Sequence, residues 1–138
     1  MTEFLDHPRP YEDEDNRAFL TAWRDEGKIL LQRAVGSNRP FFYPRPICPY
    51  TGSSELESFE AEGKGTVVSF SLVRRPNHPA FNDEVPIVLA EIELLEGATM
   101  LARILTHDPE SLISGASVRT IKQESASKYP LPTFELIS

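Results

Sequence analysis

Twelve prolines punctuate this chain, and most fall in three places: the N-terminal stretch, residues 40–49 and residues 76–86. Proline has no N–H to give a helix interior or a central strand, so each cluster ends regular structure. Twelve in 138 residues is well above the ~5% of average usage. What remains between the clusters is short. Residues 29–32, 56–60, 65–74, 85–95, 99–106, 117–124 and 133–137 carry strand-like patterns of Val, Ile, Leu and Phe. Short strands separated by turn signals make a small barrel or sandwich. Five or six of them in the second half of the chain suit a five-stranded barrel of the OB type.

The expected architecture is mainly β. Residues 1–14 read as an acidic tail and 15–27 as a helix. Residues 28–54 read as a loop-rich segment and 55–138 as the barrel. Asp15 or Asn16 is placed to cap the helix and Gly27 to stop it. Phe19, Leu20 and Trp23 make one apolar stripe on it, which fits either core packing or a docking face for a partner. Pro109 opens a single helical turn over Asp108–Leu112.

Charge and composition exclude several classes. The net charge is −7, and residues 1–15 hold six acids against Arg9 alone. A nucleic-acid binder should show a basic footprint, which this chain lacks overall. No apolar run approaches the ~18 residues of a membrane span. The N-terminus, with Glu3 and Asp6, does not read as a signal peptide, so the cytoplasm is the expected location. A single cysteine, Cys48, excludes an internal disulfide and an all-cysteine metal site.

Catalytic signatures are sparse. Gly63-Lys64-Gly65-Thr66 lacks the upstream glycine of a phosphate loop and sits at a strand start. His7, His78 and His107 are far apart and show no metal-ligand spacing. His78 stands out because Arg74 and Arg75 share its loop, where an anion would be met. Cys48, between Ile47 and Pro49, reads as an inert thiol.

One local exception to the acidity is residues 27–54. Lys28, Arg33, Arg39 and Arg45 occur there with no acidic residue, interleaved with Phe41, Phe42, Tyr43 and Tyr50. Bases with aromatics hold phosphates and stack nucleobases, whether of a nucleic acid or of coenzyme A.

The same segment carries a resemblance. Pro44-Arg45-Pro46-Ile47-Cys48-Pro49-Tyr50-Thr51-Gly52-Ser53 resembles PR-x-x-CP-x-C-G-S, which closes the rubredoxin-like zinc ribbon of the DUF35 proteins. In these acyl-CoA-associated OB-fold proteins a helix with aromatics leads into a four-cysteine ribbon and then a barrel. Glu62 to Phe70 is similar to the family's G-x-G-x-V-x-S-x start of the barrel. His78-Pro79-Ala80-Phe81, the stretch Leu112 to Val118 and Pro132-Thr133-Phe134 are similar to its later motifs. The resemblance covers roughly residues 15–137. It places the ribbon's ligand positions on Ala34, Ser37, Cys48 and Thr51. Only one is a cysteine, so the ribbon is degenerate and no bound zinc is expected.

The resemblance implies a non-catalytic accessory subunit of a thiolase-like or other acyl-CoA enzyme, assembled as a hetero-oligomer. Phe19, Leu20 and Trp23, with the ribbon, would contact the partner. Lys28, Arg33, Arg39 and Arg45 would meet coenzyme A or acyl-CoA, with no cofactor held tightly. The alternative is an OB-fold binder of single-stranded nucleic acid, which the net charge disfavours. A self-sufficient enzyme is the third reading, and no catalytic constellation supports it.

Overall fold

The computed structural model describes residues 7–126 and 128–137. The first part of the acidic tail, with Glu3 and Asp6, lies outside them. Ahead of the first helix, Asp13 Oδ1 accepts the backbone N–H groups of Asp15 and Asn16 at 2.9 and 3.0 Å. Asn16 is the N-cap by position, but its side chain turns back to accept the N–H of Asp13 at 2.8 Å. Helix α1 then runs Arg17–Glu26. Gly27 ends it at φ 66°, where its N–H and that of Lys28 reach the carbonyls of Trp23 and Ala22.

Strands β1 (Leu30–Ala34) and β2 (Leu56–Glu60) form an antiparallel pair of their own. The sequence reading grouped residues 55–60 with the barrel. The register instead sets Leu30 opposite Glu60 and Ala34 opposite Leu56, so β2 closes the preceding segment. A single bridge adds Phe41 beside Gln32 on β1.

The barrel starts at β3 (Lys64–Val73). It continues through β4 (Ile87–Leu94), β5 (Thr99–Leu105), β6 (Ser117–Thr120) and β7 (Thr133–Leu136). Its strand order β3-β4-β5-β7-β6 closes on β3. Only β5 and β7 run parallel. This is the five-stranded Greek-key barrel expected from the strand count. Alternation runs along β4 from Val88, with Val88, Ala90, Ile92 and Leu94 inward, and along β5, with Met100, Ala102 and Ile104 inward. Closure brings backbones close at Gly65. A Cβ there would lie 2.5 Å from the carbonyl oxygen of Glu93, so the glycine of the false phosphate loop has a packing role. A bulge between Val67 and Ser69 bends β3 around the barrel.

Helix α1 packs on β1 and on the short α2 (Gln123–Ala126), which lies between β6 and β7. Phe19, Leu20 and Trp23 belong to the same core as the barrel residues. Ala34, Phe41 and Cys48 form a separate small cluster beside Leu56. The segment between β3 and β4, read as a loop, contains a 3₁₀ turn over Pro79–Glu84. His78 Nδ1 accepts the N–H of Ala80 at its start.

Candidate functional site

Two turns shape the segment between β1 and β2. In the first, the N–H of Ser37 donates to the carbonyl of Ala34 at 2.9 Å, and Gly36 holds φ 84°. In the second, the N–H of Gly52 donates to the carbonyl of Cys48 at 2.9 Å, and Gly52 holds φ 76°. Each turn needs the left-handed backbone that glycine adopts without strain. The Cys48 N–H is tied to the carbonyl of Ser53, which fixes the thiol pointing inward, 1% exposed.

Three of the four ribbon positions converge on that thiol. Burial pushes Cys48 up. The Thr51 hydroxyl and backbone groups of Tyr50, Thr51 and Ala34 bond the sulfur and outweigh burial, so the net shift is downward. Ser37 sits on the facing turn, where its Oγ accepts the Arg39 N–H at 3.2 Å. Both turns are present, but the donor chemistry does not fit zinc. Ala34 has no donor atom, Ser37 and Thr51 offer hydroxyls, and a structural zinc takes four thiolate or imidazole ligands. Among the described residues, no group of three or more His, Cys, Asp or Glu is arranged to hold a metal ion.

The four basic residues of the segment divide into two kinds. Lys28 pairs with Glu60 at 3.0 Å, which raises its pKa, and Arg33 pairs with Glu57 at 2.6 Å. Arg33 also lies over the Phe59 ring. These two charges are answered within the hairpin. Among the described residues, neither Arg39 nor Arg45 is paired with a carboxylate. Arg39 lies 3.5 Å from the centroid of Tyr50, and Arg45 donates its Nε–H to the carbonyl of Tyr43. Tyr43, Ile47 and Tyr50 are exposed between them. Exposed tyrosine and arginine around a small apolar patch are the composition of an interface.

The stripe read as a docking face points elsewhere. Phe19, Leu20 and Trp23 are 5%, 7% and 0% exposed, and the Trp23 indole donates to the carbonyl of Tyr129 at 2.7 Å. These residues seat α1 on its own barrel, because their i, i+1, i+4 spacing matches the inward face. The outward face of α1 is a shallow groove with Arg17, Ala18, Thr21 and Ala22.

A second cluster escaped the sequence reading. His7 Nε2 lies 2.5 Å from Glu84 Oε2, and Arg103 Nη1 donates to Glu84 Oε1 at 2.7 Å. The His7 ring lies between Phe81 and Tyr129, at centroid distances of 4.7 and 5.5 Å. Burial raises the Glu84 carboxyl, but the bonds and charges of His7 and Arg103 overcome that and hold it below its usual range. Arg103 Nε is buried and has no acceptor among the described residues. Nothing local signals this cluster, because its members come from residues 7, 81–84, 103 and 129. His78 serves as a turn cap, and His107 is exposed just past β5.

Comparison with known proteins adds to this geometry. Residues 59–121 match the family described as "ChsH2, C-terminal OB-fold domain". A probable enoyl-CoA hydratase alpha subunit of Thermomonospora curvata is 32% identical over 127 residues, 92% of this chain and 39% of its own. A DUF35 domain-containing scaffold protein of Methanocaldococcus jannaschii is 35% identical, over 77% of each chain. Among solved structures, a chain of an Ltp2-ChsH2(DUF35) aldolase superposes with a TM-score of 0.77 and 29% identity. That match covers 93% of this chain and 98% of the other. The chain spans between 39% and 61% of the length of three of the curated relatives it matches. No helix among the described residues is long and apolar enough to cross a membrane.

Proposed function

The chain belongs to the DUF35 family, and from that premise we propose that it is a non-catalytic accessory subunit of an acyl-CoA-processing complex, scaffolding a thiolase-like enzyme. The observation that carries this reading is the superposition, over nearly its whole described length, on a chain of an Ltp2-ChsH2(DUF35) aldolase. Two relatives named as a scaffold protein and as a hydratase subunit support it. The bond-making chemistry belongs to the partner.

The contact surface follows from what the fold leaves outside. Since Phe19, Leu20 and Trp23 are used internally, docking falls to the ribbon's exposed face, with Tyr43, Ile47 and Tyr50. Arg39 and Arg45 flank that face without carboxylate partners, which suits the phosphates of an acyl-CoA held by the partner. Lys28 and Arg33 drop out of the coenzyme A site, because Glu60 and Glu57 already neutralise them. The ribbon keeps its shape without zinc, through its two glycine turns and the Cys48 cluster.

Co-expression of a tagged copy with the neighbouring genes tests the assignment. Recovery of an acyl-CoA enzyme subunit at fixed stoichiometry is expected. A chain that purifies alone under those conditions removes the accessory role. In the complex, Arg39→Glu with Arg45→Glu should weaken acyl-CoA affinity, and an unchanged affinity removes those two residues from the ligand.

A further inference from the structure

Among the described residues, nothing closes one edge of the β1–β2 pair. The Val35 N–H donates to the Glu55 carbonyl at 2.8 Å, and the Ala61 N–H to the Ile29 carbonyl at 2.9 Å. The register sets Leu31 on Phe59 and Arg33 on Glu57, so the odd-numbered residues of the two strands bond to each other. The even-numbered residues turn their backbone groups outward. On β1 that outer edge is taken, because Gln32 exchanges both of its backbone bonds with Phe41. On β2 the outward N–H and C=O groups belong to Leu56, Ser58 and Glu60. They have no backbone partner among the described residues.

An open edge is a template for another strand, and proteins that keep one blunt it with proline, lysine, a bulge or a covering element. β2 has no proline, lysine or register shift, and Ser58 and Glu60 are exposed. Its inner side chains hold it in place, Phe59 against the barrel core and Leu56 against the Cys48 cluster. A two-stranded sheet is marginal in water, and a third strand would complete it. The charge along the edge says what that strand carries. Glu55, Glu57, Glu60 and Glu62 fall close together. Arg33 and Lys28 answer Glu57 and Glu60, while Glu55 and Glu62 have no ion pair among the described residues. A second copy of β2 would bring the same acids, and like charges across a strand pair are destabilising. A strand carrying lysine or arginine meets them with the opposite sign.

We propose that the outer edge of β2 is a docking site for an extended, basic segment of another protein, which joins the β1–β2 pair as its third strand. The backbone groups of Leu56, Ser58 and Glu60 supply the pairing, and basic side chains of the incoming strand meet Glu55 and Glu62. The site is built from main-chain groups and uses none of Tyr43, Ile47 and Tyr50, so it stands whether or not the accessory role holds.

The test uses the full chain, isotope-labelled for NMR, and a capped hexapeptide of alternating lysine and valine as the probe. The amides of Leu56, Ser58 and Glu60 should shift saturably on titration. Their hydrogen exchange should slow by at least about tenfold at saturation, while Leu31 and Arg33, already bonded in the ladder, should not change. The same peptide with every backbone nitrogen methylated keeps its charge but cannot donate, so it should not bind. A glutamate–valine peptide should not bind either. Ser58→Pro removes an outward donor and leaves the bonds to β1 intact, so it should abolish binding. The peptide controls need no variant, so they decide the matter even where proline unfolds the pair. Failure of the lysine–valine peptide to slow those three amides overturns the proposal. Equal binding of the methylated peptide, of the glutamate peptide or by the Ser58→Pro chain does the same. A dimer of the free chain in light scattering that Ser58→Pro dissociates also overturns it, by giving the edge to a second copy.

Discussion

The barrel buries Val67, Ile92, Leu94, Ile104, Val118 and Phe134 behind a closed ring of strands, and α1 adds Trp23 to the same core. The ribbon buries Ala34, Phe41 and Cys48 beside half-buried Leu56. Apolar burial stabilises by roughly 25 cal/mol per Å². The barrel therefore has an ample source of stability and the ribbon a meagre one. Ribbons of this shape ordinarily take the difference from a metal, whose binding energy is folding energy. Here the buried Cys48 thiol packs with Ala34 and Phe41, and the flanking turns are closed by backbone hydrogen bonds. The comparison teaches that two glycine turns can fix the course of a segment whose buried core is small.

The strongest way to break this comparison is to give the ribbon its metal back. Ala34→Cys, Ser37→Cys and Thr51→Cys, with Cys48, rebuild four thiolates. Structural zinc in small fingers contributes about 10 kcal/mol or more of apparent binding energy. One zinc per chain, measured by metal analysis, is expected. A metal-free triple variant would show that the turns no longer converge.

On the barrel side, Trp23→Ala should cost about 3–5 kcal/mol by urea denaturation, the range for deleting a buried aromatic. A variant with unchanged stability and lost partner binding would return Trp23 to the docking surface.

Smaller effects sharpen the contrast. Ile92→Val should cost the barrel about 0.5–1.5 kcal/mol. Alkylation of Cys48 should keep its rate in that variant, because the ribbon opens by itself. A rate that rises in step with the lost stability would show that ribbon and barrel open together.

The least expected effect concerns Glu84, whose folded pKa lies below its ordinary value. A carboxyl of this kind contributes stability that is fully present above its unfolded pKa of about 4.3 and is lost as pH falls through the folded value. Glu84→Gln should lower Tm at neutral pH, and the gap to the unmodified chain should close in acid. A gap independent of pH would remove the charge of Glu84 from the stability of the His7 cluster.

Much of the barrel was legible because its signals are local. Alternation on β4 and β5 gives both strand and face, and Gly27 marks the helix end on its own. The boundary at residue 55 was not legible. Residues 56–60 have strand character, but a strand pattern does not name its partner, and β1 lies more than twenty residues earlier. The ribbon positions came from the resemblance to the DUF35 pattern, and the structure brings Ala34 and Cys48 into one small cluster and sets Thr51 in the turn that follows Cys48. The stripe on α1 allowed two readings, since an apolar face shows that it is buried and not by what.

By itself the sequence determined the β class, the helix and its stop, and the segment without acids. Each depends on residue type or on spacing within a few positions. The tertiary structure decided which bases are paired, because Glu57 and Glu60 reach Arg33 and Lys28 only across the β1–β2 pair. It also decided that His7, Phe81, Glu84, Arg103 and Tyr129 meet. Contacts that span most of the chain arise only when the barrel closes, and no local pattern records them.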